Sequence, residues 1–137
     1  MALEDLAYAL VQVVHNFGAA AVVGVAFMGR WPLRHHPGRR RQLAWLILLA
    51  WTAQGISGAG FGAVSYLYYA QLPDIAGVAV AALILKMAST VFGILLAGSY
   101  LWRGNSWSPL RQNRLWSGLM LLGALALTAA AFLRWYS

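Results

Sequence analysis

The sequence contains no cysteine, only three acidic residues and a single lysine among its 137 residues. Without cysteine, the sequence has no disulfide, no thiolate metal site and no catalytic thiol. Charged residues make up 9% of it, against about 25% in a soluble domain. The hydrophobic share is 61% and the mean hydropathy is +0.65, so an integral membrane protein is predicted.

Long apolar runs fill most of the sequence. Four of them reach the roughly 20 residues that a helix needs to cross a bilayer, at about 6–28, 43–69, 75–102 and 115–135. Backbone polar groups in lipid must be bonded within the segment, so each run is predicted to be a helix. The predicted fold is all-α: an integral membrane four-helix bundle built from one transmembrane domain, residues 1–137. No nucleic-acid motif or phosphate-binding loop accompanies it.

The basic residues are distributed unevenly among the predicted loops. The first predicted loop contains five arginines and the third contains three, whereas the second contains none and includes Asp74. The other two acids, Glu4 and Asp5, precede the first run. Basic loops remain on the cytoplasmic side of a membrane, so both termini are predicted to face outward, in a bacterial inner membrane. The net charge of +7 is explained by this topology and by contact with anionic lipids.

Two ionisable residues interrupt the apolar runs, His15 in the first and Lys86 in the third. Counted from the start of each run, both lie roughly 15–18 Å deep, near the middle of a bilayer. Such residues are costly in lipid and usually face the bundle interior with a partner. No acid lies at that depth. Three explanations for Lys86 stay open: an uncharged amine, hydrogen bonds to amides or freed carbonyls, or a partner outside the chain, such as a cofactor carboxylate, a quinone oxygen or another subunit's acid.

Polar and small residues surround these two positions at helical spacing. The candidate supporting residues are Gln12, Asn16, Gln54, Ser89 and Thr90. In the second run, Gly55, Gly58 and Gly62 form a smooth stripe. Such a stripe is typical of close helix packing, and it also leaves room for a flat ring such as a porphyrin.

Three segments carry a resemblance to known families. They are "LVQVVHNFGAAAVVGVAF" around His15, "LILKMASTVFGILLAGSYLWR" around Lys86, and "LWSGLMLLGALALTAAAFL" in the last run. Together they resemble the copper-resistance D (CopD-like) membrane superfamily. The arrangement of one histidine and one lysine in four helices is also similar to the haem-binding protoporphyrinogen oxidases of the HemJ type. That similarity implies that His15 and Lys86 form a functional pair, and it leaves protoporphyrinogen oxidase activity an open question.

Three functions are compatible with these features. The first is membrane redox or tetrapyrrole chemistry, in which His15 is an axial ligand of the iron of a b-type haem and Lys86 is the opposite ligand or a propionate partner. The second is an accessory or assembly subunit of a larger respiratory or photosynthetic complex. The third is copper handling by a cytoplasmic set of soft ligands. That set is Met28, His35, His36 and Met120. The expected partners are the lipid bilayer and other membrane subunits or a second copy of the chain, and no nucleic acid is expected.

Overall fold

A computed structural model describes residues 3–136, and within that range it contains four long helices and no strand. The helices are α1 (Leu3–Arg30), α2 (Pro37–Tyr69), α3 (Val78–Arg103) and α4 (Pro109–Tyr136), with a short 3₁₀ turn at Gly104–Ser106. Each long helix is apolar enough and long enough to cross a bilayer. The prediction of an all-α, four-helix membrane protein is therefore confirmed. The ends of the predicted domain, residues 1, 2 and 137, lie outside the described residues.

Three of the four helices are longer than the apolar runs that predicted them, and α3 begins later than its run. Helices α1, α2 and α4 extend past their runs because polar residues at the membrane surface continue the helical backbone. Pro37 begins α2, where its fixed φ suits the first helical turn. Helix α3 instead begins three residues later than predicted, at Val78, after Gly77 takes a φ of 54° that favours glycine. Lys86 is therefore eight residues from the start of its helix, against eleven from the start of the apolar run.

Each helix packs against the next in the chain, and α4 returns to pack against α1. Helices α1 and α3 therefore lie diagonally across the bundle. One end, here called the basic end, contains the α1–α2 and α3–α4 connections. The opposite, terminal end contains both chain termini and the α2–α3 connection, and there the Tyr69 hydroxyl donates a hydrogen bond to Glu4. The outward orientation of this end remains a prediction from the arginine distribution.

The size and polarity of the buried side chains differ between the two halves of the bundle interior. The half toward the basic end is packed with large apolar side chains. The largest of these are fully buried: Trp51, Trp116, Ile47 and Leu119. The half toward the terminal end buries mainly small or polar residues. They include His15, Ser57, Ser89, Ala79, Ala82 and Ala129. The polar site predicted from the sequence thus lies where the apolar core is thin.

Two tryptophans fix the packing of the apolar half. The Trp51 indole lies against the backbone of Gly93, and the Trp116 indole lies against that of Gly29; a β-carbon at either glycine would overlap the ring. Tyr100 adds an edge contact to Trp116, with ring centroids 5.4 Å apart. These contacts join α2 to α3 and α4 to α1, so they set the register in which the site is assembled.

Arg40 closes the basic end of the interior. Its side chain is only 2% exposed, although it lies one turn from the start of α2. The guanidinium donates to the Gly29 carbonyl at 2.9 Å and to Asn113 Oδ1 at 2.6 Å, with a longer bond to Gln112. Every one of these acceptors is neutral. Arg40 is therefore a structural connection between α1, α2 and α4.

Candidate functional site

His15 faces the interior because it lies on the buried stripe of α1. The other buried residues of this helix follow it at spacings of three or four: Gly18, Val22, Ala26 and Gly29. The His15 side chain is 9% exposed, and its ring meets the edge of Phe61 with centroids 5.5 Å apart. A histidine on this stripe is held away from lipid by α2, in keeping with the cost of a polar ring there.

Lys86 reaches His15 across the diagonal of the bundle. Its Nζ lies 2.9 Å from His15 Nε2. Lys86 is eight residues from the start of α3, about 12 Å, whereas His15 is twelve residues from the start of α1, about 18 Å. Each count gives the distance from the start of that residue's own helix, and the long lysine side chain spans the diagonal between the two helices. Lys86 has a partner inside the chain, so the absence of a nearby acid does not require one from outside.

The other imidazole nitrogen of His15 is held by α2. His15 Nδ1 lies 2.7 Å from Ser57 Oγ, and the Ser57 hydroxyl donates to the Ala53 carbonyl at 2.6 Å. Since that hydroxyl proton is directed at Ala53, Nδ1 is assigned as the donor to Ser57 Oγ. Nε2 then carries the lone pair that accepts from Lys86. We call this chain of bonds, from Lys86 through His15 to Ser57 and the Ala53 carbonyl, the His15 relay.

Gln54 fixes α1 against α2 beside the relay. Its Nε2 donates to the His15 carbonyl at 2.5 Å. A β-carbon at Gly18 would lie 2.6 Å from that same amide nitrogen, so glycine there makes the bond sterically feasible. Gln54 is thus a supporting residue, as predicted, although it contacts the backbone of His15 and not its ring.

The remaining predicted supporting residues do not join the relay. The Ser89 and Thr90 hydroxyls donate to carbonyls of their own helix, at Leu85 and Lys86. Gln12 and Asn16 are exposed, and Gln12 Nε2 donates to Asn16 Oδ1 at 2.7 Å. This pair faces outward from the bundle.

The glycine stripe of α2 is divided between two environments. Gly55 lies beside the Thr90 side chain of α3, at 3.4 Å from its β-carbon position, which is close helix packing. Gly58 is exposed and has no neighbour within 4 Å of its β-carbon position. The stripe therefore does not form a single surface against one helix.

Ser57 is the relay residue that the sequence did not single out. It lies three residues after Gln54, within the glycine-rich part of α2. Helical spacing from Gln54 is the signal that could have identified it, because residues three apart share a face. Serines in membrane helices commonly bond their own backbone, so spacing alone does not distinguish a relay residue from a structural one.

A haem bound through His15 does not fit this arrangement. Iron requires a free imidazole lone pair, and both ring nitrogens are engaged, by Lys86 and by Ser57. No iron fits between His15 Nε2 and Lys86 Nζ at 2.9 Å, since a metal–nitrogen bond in a protein site is about 2 Å long. The expected pair of axial ligands is therefore not formed by these two side chains as placed.

The soft ligands proposed for copper lie in different surroundings, and one of them, Met120, packs against the apolar core. Within residues 3–136, no group of three or more histidine or acidic side chains could hold a metal ion. His35 Nε2 accepts a hydrogen bond from Arg34 at 2.7 Å on the exposed surface. Met28 is 40% exposed. Copper handling at the basic end stays a prediction from the sequence.

No family model, curated protein or solved structure matches this chain.

Proposed function

We propose that the protein acts in membrane redox or tetrapyrrole chemistry by binding a ring-shaped, membrane-soluble ligand through an oxygen of that ligand at Lys86. A quinone carbonyl and a porphyrin carboxylate are the two forms of this acceptor. The observation that carries the proposal is the His15 relay, which positions the lysine amine inside the bundle. The similarity of the histidine and lysine arrangement to the HemJ-type family also favours tetrapyrrole chemistry.

The hydrogen-bond inventory of Lys86 favours an oxygen ligand. An ammonium has three N–H donors and an amine has two, and the bond to His15 uses at most one. Among residues 3–136, no other side chain or carbonyl accepts from Lys86 Nζ. At least one N–H is thus available in either protonation state. An unpaired donor at this depth is costly, so an acceptor brought by a ligand would be bound favourably.

The other residues of the relay have positioning roles. Ser57 keeps the His15 proton on Nδ1, which leaves Nε2 as the acceptor that orients Lys86. Gln54 holds α1 at the right distance from α2 through the His15 carbonyl. The buried residues of this half are mostly small, so few large side chains would have to move for a ring to reach Lys86.

The proposal also includes the membrane in which the protein lies and its orientation there. We place it in a bacterial inner membrane with both termini on the outer side, because its arginines are concentrated in the two connections at the basic end. The ligand would then enter from the bilayer, where both quinones and porphyrins partition.

Binding of two probes tests the proposal. Purified protein in mild detergent is titrated with a short-chain quinone and with metal-free protoporphyrin IX, and quenching of tryptophan fluorescence is measured. We expect Lys86→Met to weaken binding of at least one probe about tenfold, since a hydrogen bond contributes roughly 0.5–1.5 kcal/mol from a neutral donor and roughly 1.5–3 kcal/mol from a charged one. Arg134→Met is the charge-matched control, because Arg134 is exposed near the end of α4, and it should leave binding unchanged.

The dimethyl ester of protoporphyrin shows whether the carboxylate or a carbonyl is the group that accepts the hydrogen bond from Lys86. If the carboxylate is the ligand group, the ester should bind weakly and be insensitive to Lys86→Met. Binding of neither probe, or equal binding by the wild type and Lys86→Met, would contradict the proposal. A subunit that co-purifies with the wild type and is lost with Lys86→Met would then favour the accessory-subunit alternative.

A further inference from the structure

The exposed surface of α1 contains a pair of amides at the middle of the membrane span. Gln12 is the tenth and Asn16 the fourteenth residue of this 28-residue helix, so both lie close to its midpoint. Both side chains are exposed, and each therefore faces lipid in the isolated chain. Polar side chains at this depth usually bond across a helix interface, because lipid offers them no partner.

The bond between these two amides leaves further groups without partners. Gln12 Nε2 donates to Asn16 Oδ1, which satisfies one donor and one acceptor. Within the described part of the chain, Asn16 Nδ2 and Gln12 Oε1 have no hydrogen-bond partner. One amide head thus offers unpaired N–H groups and the other an unpaired oxygen. The bonded atoms of the two amides are 2.7 Å apart, and each free atom belongs to the same amide group as one of them, so the free donor and the free acceptor are close neighbours on this surface.

We propose that this surface is the interface of a homodimer in which α1 packs against α1 of a second copy. Two copies in one membrane share an orientation, so a two-fold axis along the membrane normal brings equal depths together. Asn16 Nδ2 of each copy then donates to Gln12 Oε1 of the other. Together with the two bonds inside the copies, these contacts close a ring of four amides.

The residues beside the amides permit this approach. Ala9 and Ala20 lie three residues before Gln12 and four after Asn16, on the same exposed side of the helix. Small residues at such positions allow two membrane helices to come close enough for side-chain hydrogen bonds. A second copy fits better than a helix of different sequence because the patch is complementary to itself, with free N–H groups on Asn16 and a free carbonyl oxygen on Gln12.

Cysteine cross-linking in native membranes tests the dimer, and each variant carries a single cysteine because the sequence itself has none. Oxidation of Ala9→Cys or Ala20→Cys should give a disulfide-linked dimer, because a disulfide needs α-carbons within about 7 Å. The matched controls are Leu10→Cys and Phe17→Cys, which lie at similar depths and are 59% and 73% exposed in the wild type. They should stay monomeric under the same oxidation.

A second set of variants links the dimer to the amides. Gln12→Leu/Asn16→Leu changes only lipid-facing side chains, so the monomer should remain folded. We expect its dimer dissociation constant in detergent to rise about tenfold, from two lost intermolecular bonds. Equal cross-linking at Leu10→Cys and Ala9→Cys, an unchanged dissociation constant, or cross-links from Ala9→Cys only to a different protein would each overturn the homodimer.

Discussion

Replacing Arg40 by methionine is expected to lower the free energy of unfolding by about 2–4 kcal/mol, since an unsatisfied buried acceptor costs roughly 1–3 kcal/mol. Methionine fills a similar volume but donates no hydrogen bond. The Gly29 carbonyl and the Asn113 amide oxygen would lose the guanidinium that now lies between α1, α2 and α4. The expected loss of stability is smaller than the summed contributions of the lost hydrogen bonds, because removing a buried charge also removes the cost of its desolvation. The measurement is equilibrium unfolding in mixed detergent micelles.

Arg39→Met is the control for this prediction. Arg39 is the neighbour of Arg40 in sequence and is exposed. Replacing it removes the same positive charge from the basic end as replacing Arg40 does. A surface substitution should nevertheless alter the free energy of unfolding by no more than about 0.5 kcal/mol. If both variants are destabilised equally, Arg40 acts through charge at the membrane surface and not through its buried contacts.

Adding one methyl group at Gly93 is expected to destabilise the bundle by about 1–3 kcal/mol, the usual cost of overpacking. The new β-carbon of Gly93→Ala would overlap the indole of Trp51, which is 1% exposed and has no room to move away. Gly98→Ala is the control on the same helix, because its β-carbon would have no neighbour within 4 Å. Unfolding in mixed micelles should leave that control within about 0.5 kcal/mol of the wild type.

A second substitution identifies the cause of this effect. Trp51→Leu removes the indole and costs stability by itself, but Trp51 Nε1 has no hydrogen-bond partner, so no polar contact is lost. In the double variant Gly93→Ala/Trp51→Leu, the clash is absent. The two effects should therefore be less than additive by about 1 kcal/mol or more. Strict additivity would show that Gly93 is needed for some reason other than the tryptophan ring.

The membrane helices follow from composition, because runs of this length and hydropathy have few alternatives in lipid. The sequence also predicts that His15 and Lys86 meet in the bundle interior, since ionisable residues in apolar spans are expected to turn inward. The start of α3 was harder to predict, because it depends on the backbone conformation of Gly77. The direct hydrogen bond between His15 and Lys86 requires the diagonal arrangement of α1 and α3, which no local pattern specifies.

The interpretation of Gln12 and Asn16 illustrates the limit of helical spacing. Residues three or four apart share a face only approximately, because each residue turns the helix by about 100°. The buried stripe of α1 is centred between His15 and Gly18, and Gln12 falls about 80° from that centre. It therefore lies on the outer surface although it is three residues from His15. The Trp51–Gly93 contact could not be predicted from the sequence for a similar reason, since it depends on the register between two helices.

The proton on the imidazole of His15 is the most direct measure of the His15 relay. The sequence has three histidines, so a His35→Gln/His36→Gln background leaves His15 alone. Nitrogen-15 NMR of this protein in detergent should show a proton on Nδ1 and an unprotonated Nε2, and Lys86→Met should shift the Nε2 resonance most. A proton on Nε2, or an Nε2 resonance that Lys86→Met leaves unchanged, would contradict the relay and the ligand site derived from it.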